Sequence, residues 1–154
     1  MDSIDLKRKS LADALSAVFP HGRAVSLICD ATFRYRGFEG QGLLDSIVEG
    51  RDGWGGDAGG ISFPNELAEE SGEDEAQYGY IEFEIDAGPP GDPYWIDQVP
   101  LSDAFAMFDV AAQHYVSANP DRRDIVMAKM RTGRKTFDRL IARHEAWKKA
   151  NGRA

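Results

Sequence analysis

Residues 77–86 read Gln77-Tyr78-Gly79-Tyr80-Ile81-Glu82-Phe83-Glu84-Ile85-Asp86, a strict alternation of apolar and polar side chains towards its end. Successive side chains of a β-strand point to opposite faces. The pattern therefore sends Ile81, Phe83 and Ile85 to a core. It sends Tyr78, Tyr80, Glu82, Glu84 and Asp86 to the other face, two aromatics followed by three carboxylates. Downstream, Gly88-Pro89-Pro90-Gly91-Asp92-Pro93 is a stiff turn, and Tyr94-Trp95-Ile96-Asp97-Gln98-Val99 reads as a second strand closing a hairpin.

The rest of the chain is read outward from that hairpin. Ser102 is a helix N-cap, and Phe105, Phe108, Ala112, Tyr115 and Val116 form an apolar stripe as far as Ser117. Asn119-Pro120 starts another helix, which carries Ile125, Val126, Met127 and Met130 and ends before Gly133. A last helix spans about 134–150, with Phe137, Leu140, Ile141, His144 and Trp147 at helical spacing. Upstream, residues 66–75 form an acidic connector and Ile61-Ser62-Phe63-Pro64 a short strand stopped by proline. The glycine-rich residues 50–60 read as a loop, and 40–48 as a short helix on Leu43, Leu44, Ile47 and Val48. Residues 23–35, rich in β-branched and aromatic side chains, read as a strand. A first helix, capped by Ser3 or Asp5, runs to about Val18 with Leu6, Leu11, Leu15 and Val18 on one face, ended by Pro20 and Gly22. No βαβ alternation appears. The expected class is α+β: one domain over 1–154, a small, mainly antiparallel sheet packed against helices, with a helical C-terminal third.

Charge is distributed unevenly along the 154 residues, whose formal net charge is −8. Residues 66–86 hold nine carboxylates and no Lys or Arg. Residues 1–120 carry 22 acids against 7 bases, and residues 121–154 carry 4 acids against 11 bases. An acidic body is thus followed by a basic helical segment. The balance argues against the whole molecule being a nucleic-acid binder. Cys29, the single cysteine, lies in an apolar run and reads as a buried inert thiol. The N-terminus carries no secretory apolar core and no window reaches the length of a membrane span, so the expected location is cytoplasmic.

Few residues point to catalysis. The glycine loop lacks the Gly-Lys-Ser/Thr of a P-loop, and the spacing of Asp52 and Asp57 fails a calcium loop. His21, His114 and His144 are far apart, without a Cys or second His at ligand spacing, so no metal and no cofactor are expected. Glu82 and Glu84 lie about 6–7 Å apart on one strand face. Catalytic carboxylates, however, need a pocket that separates their pKa values. The acidic face suits either simple solvation or a basic protein partner. Arg131, Arg134, Lys135, Arg139, Arg143, Lys148, Lys149 and Arg153 support a competing reading, a regulatory or nucleic-acid-binding module acting through the basic C-terminal helix. No aromatic platform or base-reading motif accompanies them.

Residues 52 to about 130 resemble the immunity proteins of bacterial contact-dependent inhibition and related polymorphic toxin systems, in particular those paired with ribonuclease toxins. Three features carry the resemblance in order. They are the segment Asp52-Gly53-Trp54-Gly55-Gly56-Asp57, the strand Tyr78-Gly79-Tyr80-Ile81-Glu82-Phe83-Glu84, and a strand followed by a Ser-capped helix (Trp95-Ile96, Leu101-Ser102, the stripe from Phe105 to Tyr115, then Asn119-Pro120). The resemblance implies a non-enzymatic cytoplasmic protein that binds a toxin domain and blocks its active site or substrate groove. Nuclease toxins present basic surfaces, and carboxylates of opposite potential speed encounter and penalise wrong partners. The expected partner-binding residues are Trp54, Asp57, Glu73, Asp74, Glu75, Tyr78, Tyr80, Glu82, Glu84 and Asp86, the aromatics serving as desolvated anchors beside the charges.

Overall fold

A computed structural model of the chain describes residues 3–33, 37–40, 42–51, 54–56, 59–64, 76–85 and 95–153. The expected hairpin is present. Strand β3 (Tyr80–Ile85) pairs antiparallel with β4 (Trp95–Pro100), with Ile81 opposite Val99 and Glu82 opposite Gln98. On its other side β3 pairs with β2 (Gly59–Ser62), which in turn pairs with β1 (Trp54–Gly56). The sheet is four-stranded and antiparallel throughout, in the order β1-β2-β3-β4. Ile61, Ile81, Phe83 and Val99 are buried, which makes one face of the sheet the floor of the core.

Helices supply the second layer. α1 (Ser3–Ser16), α2 (Gly22–Phe33), the short turns α3 (Gly37–Gly40) and α4 (Leu43–Glu49), and α5 (Ala76–Gly79) precede β3. After β4 come α6 (Leu101–Ala118), a 3₁₀ turn (Pro120–Arg122) and α7 (Arg123–Ala150). The class is α+β, as the sequence reading has it. α2 and α6 lie against β3 and β4. The centre of the core is aromatic: the Phe137 ring lies 5.1 Å from Phe105, 6.0 Å from Phe63 and 6.2 Å from Phe108. Offset and edge-on ring pairs at these distances each add about 0.5–1.5 kcal/mol beyond the area they bury.

Several sequence expectations are corrected. Ser102 does not cap α6, which opens at Leu101 behind Pro100 with no side-chain cap hydrogen bond. The strand expected over 23–35 is not formed by its described residues: Gly22–Phe33 is helix α2, with Ala24, Val25, Leu27, Ile28, Cys29, Ala31 and Thr32 all buried. A helix apolar on most sides shows no clean 3.6-residue stripe, and a short apolar run then reads equally as a strand. Its first turn is closed from a distance. The Asp97 carboxylate accepts hydrogen bonds from the backbone N–H of Arg23 (2.8 Å) and Ala24 (3.1 Å) and from the Arg23 guanidinium (3.1 Å). An N-cap supplied 74 positions away in sequence cannot be found by a local rule.

Glycine-rich residues 50–60 are not all loop, because they contribute β1 and the start of β2. Main-chain ladders need no side chains, and here Gly55 pairs with Gly60 and Gly56 with Gly59. Residues 77–79 are helical rather than extended, belonging to α5, so the strand begins at Tyr80. Finally, Gly133 does not break the C-terminal helix: α7 runs unbroken through it for 28 residues. The glycine is there for packing. A Cβ at position 133 would stand 2.7 Å from Ile47 Cγ2, so only glycine lets α4 approach α7 this closely. Thr136 seals the same contact by donating its hydroxyl to the Val48 carbonyl at 2.6 Å.

In α1, Leu11 and Leu15 are buried as expected, whereas Leu6 is exposed, as is Val18 in the turn beyond the helix. The predicted connector at 66–75 and the stiff turn at 88–93 lie outside the described residues.

Candidate functional site: the outer face of the sheet

Alternation along β3 turns Tyr80, Glu82 and Glu84 away from the core. Across the ladders, Glu82 faces Gln98 and Ser62, and Glu84 faces Ile96 and Gly60. Ile96 is 43% exposed and Gln98 is exposed, while Glu82 and Glu84 are partly exposed. Among the described residues neither glutamate is in an ion pair. Two carboxylates about 7 Å apart in water repel by about 0.6 kcal/mol, a penalty that an incoming cation would relieve. The strands fix the backbone and the side from which both groups project, and binding has still to order their side chains. Ile96 and Gln98 were missed as members of this face. Their signal was present in the alternation of β4, where Asp97 and Val99 point the opposite way.

The two tyrosines are differently placed. Tyr78 lies on the α5 turn, and its ring stacks on Trp147 at 5.2 Å with the Arg143 guanidinium 4.2 Å from its centroid. Tyr80 sits 6.1 Å from the His144 ring, which is itself 6.2 Å from Trp147. Arg153 lies 5.1 Å from the Trp147 ring. The end of α7 is thus docked on the start of β3 by aromatic and cation–π contacts. Both tyrosines are half-buried against the end of α7, and Glu82 and Glu84, equally half-buried, continue the face that Tyr80 begins. Trp54 pairs in register with Ile61 on edge strand β1. Asp57, Glu73, Asp74, Glu75 and Asp86 lie outside the described residues.

The basic segment divides into two groups. Near its end, Lys148 bonds Glu145 at 2.7 Å, and Arg143 and Arg153 are on the aromatic cluster. Arg131, Arg134 and Lys135 form no ion pair among the described residues.

Groups able to do chemistry are few. Burial pushes the Cys29 thiol up to about 11; Arg8 opposes this weakly and Asp30 adds to it. A buried thiol with that pKa is a poor nucleophile. Glu39 accepts three hydrogen bonds from Arg122, at 2.7, 3.1 and 3.3 Å, and one from the Tyr115 hydroxyl at 2.7 Å. The Arg122 bonds hold the Glu39 carboxyl below its usual range, against a smaller desolvation effect. The same cluster, burial first, pushes Tyr115 up to about 12. It pins α3 to the end of α6 and the 3₁₀ turn. Among the described residues no three His, Cys, Asp or Glu side chains gather to hold a metal ion. No described helix is long and apolar enough to cross a membrane.

No family model, curated protein or solved structure matches this chain.

Proposed function

We propose that this protein is an immunity protein that binds and neutralises a nuclease-type toxin domain in the bacterial cytoplasm, acting by binding rather than by catalysis. The observation that carries the reading is the pair Glu82 and Glu84. They are uncompensated by any described cation and held on a rigid sheet face beside exposed Ile96 and Gln98. Carboxylates in such a setting mimic a polyanionic substrate, and the neighbouring apolar and amide groups supply contact area once the charges have steered the encounter. The resemblance of residues 52 to about 130 to toxin-immunity proteins supports the same reading. Asp57, Glu73, Asp74, Glu75 and Asp86 extend the acidic surface in this proposal, with Trp54 as a further anchor. Tyr80, on the same face, and Tyr78 on the preceding turn pack against the α7 cluster, which borders the carboxylates.

The proposal predicts that a large secreted protein ending in a small basic domain is encoded beside this gene, and the test is association with that domain. Glu82→Lys with Glu84→Lys slows association by tenfold or more and flattens its dependence on salt. Unchanged association overturns the assignment of the face. Failure of the wild-type chain to bind or inhibit that domain overturns the function.

The competing nucleic-acid module would act through the basic helix. It has less support, because Arg143 and Arg153 are drawn onto aromatic rings. Filter binding with RNA and DNA at near-physiological salt separates the two readings.

A further inference from the structure

One face of α7 carries Met127, Arg131, Arg134, Asp138 and Ile141, spaced three or four residues apart and therefore aligned along the helix. Against it lies α6 with Phe105 and Asp109. Between the two helices are two open depressions, of about 470 Å³ and about 380 Å³. They share Phe105, Asp109 and Arg134, so they form one groove with a waist. The Arg134 guanidinium lies 5.6 Å from the Phe105 ring at that waist. The larger depression is walled by Val18, Phe19, Phe137 and Ile141, and the smaller is floored by Met127 and Met130. Val18, on the rim, is 69% exposed.

The shape and the charge select the occupant. Met127 to Ile141 spans about four helical turns, roughly 20 Å at 1.5 Å per residue. A compact metabolite needs an enclosed site with a few converging polar groups, and this groove is long, open and mainly apolar. Its cations are concentrated at the methionine end, where Arg131, Arg134 and Lys135 line the smaller depression against Asp109 alone. None of the three is ion-paired among the described residues. Methionine floors re-pack to fit varied apolar anchors. Nucleic acid fits less well, because Phe105 is buried and offers no open ring for a base, and the rest of the chain is strongly acidic.

We infer that this groove docks an acidic amphipathic helix of a partner protein, whose apolar residues fill the two depressions and whose carboxylates meet Arg131, Arg134 and Lys135. Such helix-in-groove binding uses anchors at i, i+3/i+4 and i+7. The surface is separate in its residues from the sheet face and stands without the proposal made for that face.

The probe is a synthetic helix of about sixteen residues with leucines at those anchor spacings and glutamates along one flank, together with a twin carrying lysine for each glutamate. Titrated into the full-length ¹⁵N-labelled protein, the glutamate helix shifts the amides of Met127, Met130 and Val18 and binds at least tenfold tighter than the twin. Arg131→Glu with Lys135→Glu removes that preference, and Val18→Asp weakens binding at the other end. All three positions are exposed, so the variants keep the fold, which a thermal melt checks. Equal binding of the two helices overturns the inference, as does binding unaffected by the charge reversal. It is also overturned if a short RNA oligonucleotide, rather than the glutamate helix, binds through these residues.

Discussion

The main chain of Gly79 lies flat against the imidazole of His144. A Cβ on residue 79 would stand 2.5 Å from His144 Nε2 and 2.6 Å from Nδ1. His144 cannot simply turn aside, because its ring is held between Tyr80 and Trp147. Gly79→Ala therefore forces α7 away from the start of β3. The expected loss is about 1–3 kcal/mol, as for other overpacked contacts. Adding His144→Ala to Gly79→Ala recovers part of it. A double-mutant cycle by urea unfolding measures the coupling.

Asp97 closes the first turn of α2 from strand β4. Asp97→Ala leaves two amide donors without that acceptor and costs about 1–2 kcal/mol. Asp97→Asn keeps an oxygen at the same place and costs less. Equal losses in the two variants would mean that the charge on Arg23, rather than the cap, dominates the contact.

The Glu39 cluster gives stability a pH dependence at both ends. Glu39 is held below its usual value of 4.5, so the folded state favours its ionised form. Its contribution is present above the unfolded pKa and is lost as pH falls through the folded one. The gap in unfolding free energy between wild type and Glu39→Gln is accordingly widest near neutrality and narrows in acid below 4.5. Tyr115 is shifted the other way, to about 12 from 10, because the folded state favours the neutral phenol. That contribution is complete below pH 10 and disappears as pH rises through about 12. Tyr115→Phe removes the alkaline part, which a pair of alkaline unfolding curves detects.

Cys29 is 3% exposed and its thiol is raised to about 11. At pH 8 it resists iodoacetamide in the native protein and reacts fully once urea unfolds the chain. Labelling of the native protein at the rate of a free thiol would mean that α2 opens locally far more often than its buried contacts allow.

What the sequence determined by itself is local and periodic. The two-residue period of Tyr80 to Ile85 set which side chains face the core, and the 3.6-residue period of Phe105 to Val116 set the inner stripe of α6. From these alone the α+β class and the carboxylate face of β3 were legible, because each needs only neighbours in the chain. Tertiary structure decided the rest, wherever a residue's partner is distant in sequence. Residues 24–32 became helix because they are enclosed on most sides, and that enclosure erases the one-sided pattern by which a helix is recognised. Gly133 became a contact instead of a stop because Ile47 lies against it. The aromatic half of residues 77–86 was covered by His144 and Trp147, more than sixty positions away. The outer face of β3 was therefore left with Glu82 and Glu84, whose direction is fixed by the strand and which find no counter-charge among the described residues.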